Sequence, residues 1–237
     1  MKVLVIPDVH LKPYMFRQAS ALMRTGIAER AVCLMDLPDD WDRGYDVELY
    51  EITMDEAVRF AKEFPDTCWC YGNHDLSYVW NRLETGYSSL ASYTVQKKLI
   101  DLRASLPEGN EIRYVHRIDN VLFSHGGISK IFVETFLPKV PENDIDAVVE
   151  EINRLGPDDM WNDASPIWLR PQQYDIPMYK PRKCLQVVGH TPMKKITKEK
   201  NVISCDVFST YPDRRPIGTR EYLLLDTKTW EFQGIPI

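Results

Sequence analysis

The chain of 237 residues carries a net charge of −6, with 44% hydrophobic and 27% charged residues, a composition able to bury one large core. Its Lys and Arg form no basic stripe, so duplex nucleic acid is not an expected partner. No stretch approaches the roughly 20 apolar residues of a membrane span, and the opening apolar run stops at Pro7-Asp8, too soon for a signal h-region. These features predict a single domain over residues 1–237, cytoplasmic and without membrane association.

In chain order, Lys2 to Ile6 is a continuous apolar run that reads as a buried strand delivering Asp8 and His10 at its C-terminal end. Apolar residues at helical spacing follow from Phe16 to Arg30, then a second strand, Ala31 to Met35, ending at Asp36. Thr53 and Glu56 have the spacing of a capping box and predict a helix from Thr53 to Phe64. Thr67 to Tyr71 is a third strand ending at Gly72-Asn73-His74-Asp75. Strands alternating with helices, each strand ending in metal-ligand residue types, predict an α/β fold with a site at the strand ends.

Beyond a helical stretch from Leu90 to Leu106, Ile112 to Arg117 and Val121 to Ser124 read as a hairpin around Asp119-Asn120, ending at His125-Gly126-Gly127. Residues 128–182 combine a helix near Asp144 to Leu155 with a Pro- and Trp-rich stretch, and are expected to cap the site. The final strands are Leu185 to Val188, which ends at Gly189-His190-Thr191-Pro192, then Asn201 to Cys205 and Glu221 to Leu225. Asp206 follows the second of these and could lie near the site, with a hydrogen-bonded support role as the safer reading. The five cysteines are odd in number, and three lie in apolar runs, so they are expected as small core residues. Cys68-Trp69-Cys70 has neither the spacer nor the second pair of a zinc site.

Four of the five histidines lie at these strand ends among Asp and Asn, a set of hard-to-borderline ligands suited to Mn, Fe or Zn. Asp8-Val9-His10, Asp36-x-x-Asp39, Gly72-Asn73-His74-Asp75, His125-Gly126-Gly127 and Gly189-His190-Thr191 occur in the order seen in calcineurin-like metallophosphoesterases, which the chain resembles from residue 8 to 192. The resemblance implies a four-layer α-β-β-α sandwich with two mixed β-sheets and a pair of divalent or trivalent transition-metal ions, Mn foremost, with Fe, Zn or Ni as alternatives. Asp8 and His10 would hold the first ion, Asp36 would bridge, and Asn73, His125 and His190 would hold the second. A bridging hydroxide would attack phosphorus. His74 matches the family's catalytic histidine, with Asp39 in place to orient its ring.

Two departures shape the expectation. Pro192 stands where many relatives carry a second histidine, which resembles the phosphoprotein phosphatase and diadenosine tetraphosphate hydrolase branch. The second is at Met35, which replaces a glycine; Asp42-Arg43-Gly44 falls three residues later than in that branch. Arg43 and Arg170 are the two candidates for holding phosphate oxygens. Trp41, Trp161 and Trp168 are candidates for stacking a base. A phosphomonoesterase or dinucleoside polyphosphate hydrolase is expected, acting on a phosphorylated small molecule, nucleotide or phosphopeptide. A small-nucleotide phosphodiesterase and a catalytically silent metal-binding scaffold are the alternatives.

Overall fold

A computed structural model describes residues 1–237. Its strands are β1 (Lys2–Ile6), β2 (Arg30–Cys33), β3 (Cys68–Cys70), β4 (Ile112–Arg113), β5 (Val115–Ile118), β6 (Val121–Ser124), β7 (Leu185–Val188), β8 (Thr197–Glu199), β9 (Val202–Ser204), β10 (Glu221–Asp226) and β11 (Phe232–Pro236). Its helices are α1 (Tyr14–Arg24), α2 (Val47–Glu63), α3 (Asn73–Val79), α4 (Ser92–Ser105), α5 (Lys130–Phe136), α6 (Ile145–Ile152) and α7 (Pro157–Met160). One mixed sheet runs β11-β10-β1-β2-β3-β4 and the other β5-β6-β7-β9-β8.

Alternation along the strands makes the layers. Val3, Val5, Val32, Phe123, Leu185 and Val187 face the space between the sheets, while Leu4, Ile6, Ala31, Cys33 and Leu122 face the helices. On the outer face of the first sheet, Phe16 of α1, Phe60 of α2 and Trp69 of β3 meet at ring distances of 5.8 to 6.3 Å. Each such buried side chain contributes roughly 1.5–3 kcal/mol. On the other side α6 packs on β5. The result is the four-layer α-β-β-α sandwich. All five cysteines are free, four of them buried. No helix is long and apolar enough to cross a membrane.

Three local expectations are corrected. α2 begins at Val47, not Thr53: Asp46 is the cap, accepting from the Leu49 amide at 3.2 Å. Thr53 lies inside the helix with its hydroxyl bonded back to the Leu49 carbonyl, and Glu56 pairs with Arg17 and Arg59. The segment from Ile112 to Arg117 is not one hairpin strand. It passes from one sheet to the other at Tyr114, with β4 pairing β3 and β5 pairing β6. Asn153 at the end of α6 makes the crossing possible: its Oδ1 accepts from the amides of Tyr114 and Val115 at 2.8 and 3.1 Å, and its Nδ2 donates to the Val115 carbonyl. β8 and β11 are additional edge strands with exposed polar residues, where apolar alternation gives no signal.

Asn153→Ala strands those two amides and is expected to lower stability by about 1–3 kcal/mol. The check is a reduced urea midpoint at an unchanged m-value.

Candidate active site

The parallel strands β1, β2, β3, β6, β7 and β9 all end at one edge of the sandwich, and their last residues run directly into the site. Past the end of the regular ladder, β1 and β2 stay paired: His10 donates its amide to the Asp36 carbonyl at 2.8 Å and Leu11 to that of Leu37 at 3.1 Å. That pairing sets His10 beside Asp36. It requires left-handed backbone at His10, Met35 and Asp36, with φ of 42°, 55° and 44°. Met35 thus occupies a conformation suited to glycine at a cost of about 1–2 kcal/mol. Its side chain is fully buried, and that burial offsets a cost of this size.

Two true glycines are fixed by close approach. A Cβ on Gly72 would stand 1.9 Å from Asp36 Oδ1, and one on Gly189 1.9 Å from Asp8 Oδ1.

Around His125 four lone-pair atoms converge. Its Nδ1 donates to the Leu34 carbonyl at 3.0 Å, so its Nε2 faces Asp36 Oδ2 at 3.1 Å, Asn73 Oδ1 at 3.1 Å and His190 Nδ1 at 3.2 Å. One imidazole proton satisfies one of these acceptors, not all. Donor atoms bonded at about 2.0–2.2 Å to one cation and meeting at near-right angles lie about 3 Å apart, so this set fits a metal ion. Asp36 Oδ2 also faces His10 Nε2 at 3.7 Å, which puts Asp36 between the two histidines. His10 Nδ1 is engaged by the Asp39 carbonyl, leaving Nε2 free. Asp8 Oδ2 accepts from the His190 amide at 2.8 Å, while Asp8 Oδ1 is buried with no partner. His10, Asp36 and His74 form one group whose ligating atoms lie within 4.8 Å of one another, and Asp36, His125 and His190 form a second.

His74 opens α3 and donates its Nδ1–H to Asp39 Oδ2 at 2.9 Å. Asp39 Oδ1 in turn accepts from the hydroxyls of Tyr50 at 2.8 Å and Tyr78 at 2.5 Å. The Asp39 carboxylate is therefore held from three directions and fixes the His74 ring with Nε2 toward the cleft. Asp75, fully buried, accepts from the amides of Asp36, Leu37 and Gly72 and so ties the end of β2 to the end of β3.

These groups charge one another. Burial pulls His125 and His74 down, but the carboxylates of Asp36 and Asp8 lift His125 to about 10, and those of Asp36 and Asp39 lift His74 to about 9. Burial pushes Asp36 up, yet His125 and His74 outweigh it and hold Asp36 well below the usual carboxylate range. Burial and the charge of Asp206 raise Asp8, and burial followed by Asp36 raises Asp75 to about 7.

The site opens into a cleft of about 540 Å³. Arg170 lines it, donating to the His190 carbonyl and to Thr191 Oγ1. Arg43 instead pairs with Asp46 at 3.4 Å beside the α2 cap, and its neighbours Asp42 and Gly44 form the wall. Among the tryptophans, Trp41 lines the cleft, its indole N–H held by the Thr210 carbonyl at 2.9 Å. Trp168 stands perpendicular to the His190 ring at 5.6 Å, with Trp161 behind it. Of residues 128–182, Arg170 reaches the cleft; the rim is built from 39–44, 85–87 and 206–217. His116 bonds the Trp69 carbonyl, and burial lowers it to about 4. Tyr50, Tyr78 and Lys12 carry no sequence signal for this site, and the bracing role of Asp75, which follows Gly72-Asn73-His74, emerges only from its three amide contacts.

The profile of the calcineurin-like phosphoesterases matches residues 1–217. The chain belongs to that family. Among solved structures it is similar to a cold-active protein tyrosine phosphatase, with a TM-score of 0.59 and 17% identity over 98% of this chain and 78% of the other. A point mutant of a cold-active protein tyrosine phosphatase gives 0.60 and 14%, over 99% and 80%. At these identities the likeness is one of fold. No curated protein matches the chain. Membership implies divalent metal ions, and the two ligand groups around Asp36 supply suitable donors.

A metal ion taken up at His125 Nε2 would have to displace its proton. Calorimetric titration of chelator-treated protein with Mn²⁺ at pH 7.5, in buffers of different ionisation enthalpy, is expected to show release of at least one proton. Because His125 and His74 are raised above the unfolded value of about 6.5, their contribution to the metal-free fold is full below that pH. It is lost as pH rises through about 9 to 10. The urea midpoint of the metal-free protein should accordingly fall between pH 7 and 10.

Proposed function

We propose that the chain is a phosphomonoester hydrolase using two transition-metal ions, Mn first among Mn, Fe, Zn and Ni. Asp8, His10 and Asp36 hold the first ion, and Asp36, Asn73, His125 and His190 hold the second. Such ions, when bound, supply Lewis acidity and a hydroxide nucleophile at neutral pH. The observation that carries the reading is His74: it shares the cleft with the ligand set, its Nδ1–H is committed to Asp39, and its Nε2 is left for the substrate. From there it donates a proton to the departing oxygen, with Asp39 fixing tautomer and ring plane. Arg170, anchored through one nitrogen, keeps N–H groups for phosphate oxygens. A silent scaffold has no use for a histidine held in this way.

The rest of the cleft supports a monoester over a dinucleoside polyphosphate. Lys12 and Arg170 are its basic residues, and Lys12 is committed to Asp40 at 3.2 Å and the His10 carbonyl at 2.9 Å. Further phosphates would meet Asp40 and Asp42. Trp41, Tyr87, Tyr211 and Ile217 instead offer an apolar, aromatic wall to the leaving group. The substrate class is a phosphorylated small molecule, nucleotide or peptide whose alcohol is planar or aromatic.

Assays with p-nitrophenyl phosphate and bis-p-nitrophenyl phosphate, with Mn, Ni or Zn added, test this. The monoester should be turned over in preference; a strong diester preference argues against the reading, and no turnover of either under any metal sinks it. His74→Asn should lower kcat by roughly 10²–10⁴-fold while metal content stays unchanged. Loss of a metal ion from that variant makes His74 a ligand instead.

A further inference from the structure

Pro192 leaves the first metal position with one protein donor fewer than the second. We propose that Asp206 completes it: this carboxylate, from the strand next to His190, is the remaining donor of the first position. The inference rests on the two-metal reading above.

The register carries it. β7 and β9 are parallel with Val188 opposite Ser204, and the Cys205 amide continues the ladder to the Val188 carbonyl at 2.9 Å. Two residues beyond each, His190 and Asp206 therefore leave adjacent strand ends at the same level. The chain after His190 then folds back, and the Met193 amide donates to the Asp206 carbonyl at 2.7 Å. This bond lays Pro192 directly beside Asp206. The backbone at which relatives place a histidine is thus tied to a residue that offers an oxygen ligand instead.

Asp206 is 1% exposed and yet forms part of the cleft wall together with His10 and Pro192. Its hydrogen-bond partner is Ser209, whose hydroxyl reaches Oδ1 at 2.8 Å and Oδ2 at 2.9 Å and whose amide reaches Oδ1 at 3.3 Å. No Lys, Arg or His forms an ion pair with it within 4.0 Å. A buried carboxylate with no cation partner stays charged only where one is supplied. The independent observation is Asp8, whose Oδ1 is buried without any hydrogen-bond partner. Asp206 shares the cleft wall with His10, whose Nδ1 is engaged by the Asp39 carbonyl and whose Nε2 is left free, so a carboxylate and an imidazole are offered together to a cation.

Asp206→Asn keeps the shape and an acceptor for Ser209 while removing the charge. The experiment measures Mn²⁺ content per chain after equilibrium dialysis at defined free Mn²⁺, and the affinities by chelator competition. Wild type is expected to bind two ions. In Asp206→Asn one ion should bind as before and the other about 10- to 100-fold more weakly, the penalty typical of groups that tune a metal site. A merely structural Asp206 gives a different pattern, a lower metal-free melting temperature with both affinities unchanged, and that result overturns the proposal. Wild type binding fewer than two ions overturns the two-metal reading itself. Should Asp206→Asn fail to fold, Ser209→Ala, which frees the carboxylate without removing it, is expected to weaken the same single ion. Unchanged affinities in a folded Ser209→Ala protein overturn the proposal in that case.

Discussion

The structure depends on crowding buried carboxylates at one edge of two sheets and fixing their oxygens with backbone amides. Asp36 accepts from the His74 amide, Asp8 from the His190 amide, and Asp75 from three amides at once. Amide dipoles hold a carboxylate in place without neutralising it. The amides thus set where each carboxylate sits, and the charge of Asp36 is left to be balanced by His125 and His74. Cooperative ladders in both sheets supply the rigidity that this requires, since a like-charged cluster on flexible loops would relax apart.

The backbone at this edge is correspondingly unusual. His10, Leu11, Met35, Asp36, Asp39 and His190 all have left-handed φ, a conformation that single non-glycine residues adopt where surrounding structure enforces it. Strands that simply ran on would carry their side chains past one another. The turn to positive φ just after each strand swings Asp36 and His190 back across the strand ends. Strain and ligand convergence are the same structural fact, and the buried aliphatic and aromatic layers on either side bear its cost.

Much of this was legible in the sequence because the key residues are next to apolar runs. β1 and β7 begin and end where their hydrophobic letters do, and the six ligand types follow each strand within a few residues. What could not be read depends on contacts between distant segments. Tyr50 and Tyr78 reach Asp39 from the interiors of two helices, and no local pattern marks them. The pairing of Arg43 with Asp46 follows from the α2 cap, and the misplaced start of that helix hid it: Thr53 and Glu56 match a capping box in spacing, but an earlier Asp46 already satisfies the first turn. The passage of the chain between sheets at Tyr114 was invisible for a similar reason, since it relies on Asn153 from α6. Asp206 was visible as a polar residue after a strand; its relation to Pro192 needed the register of β9 on β7.

The perpendicular packing of Trp168 on His190, backed by Trp161 and then Trp80 at 5.3 and 5.8 Å, gives the molecule an intrinsic optical reporter. An indole in contact with a ligand ring senses what that ring binds, and paramagnetic or heavy ions quench excited states at short range. Trp41 lines the cleft itself, half exposed, with its orientation pinned by the Thr210 carbonyl. Emission summed over the six tryptophans therefore carries contributions from beside the histidine cluster and from the cleft wall.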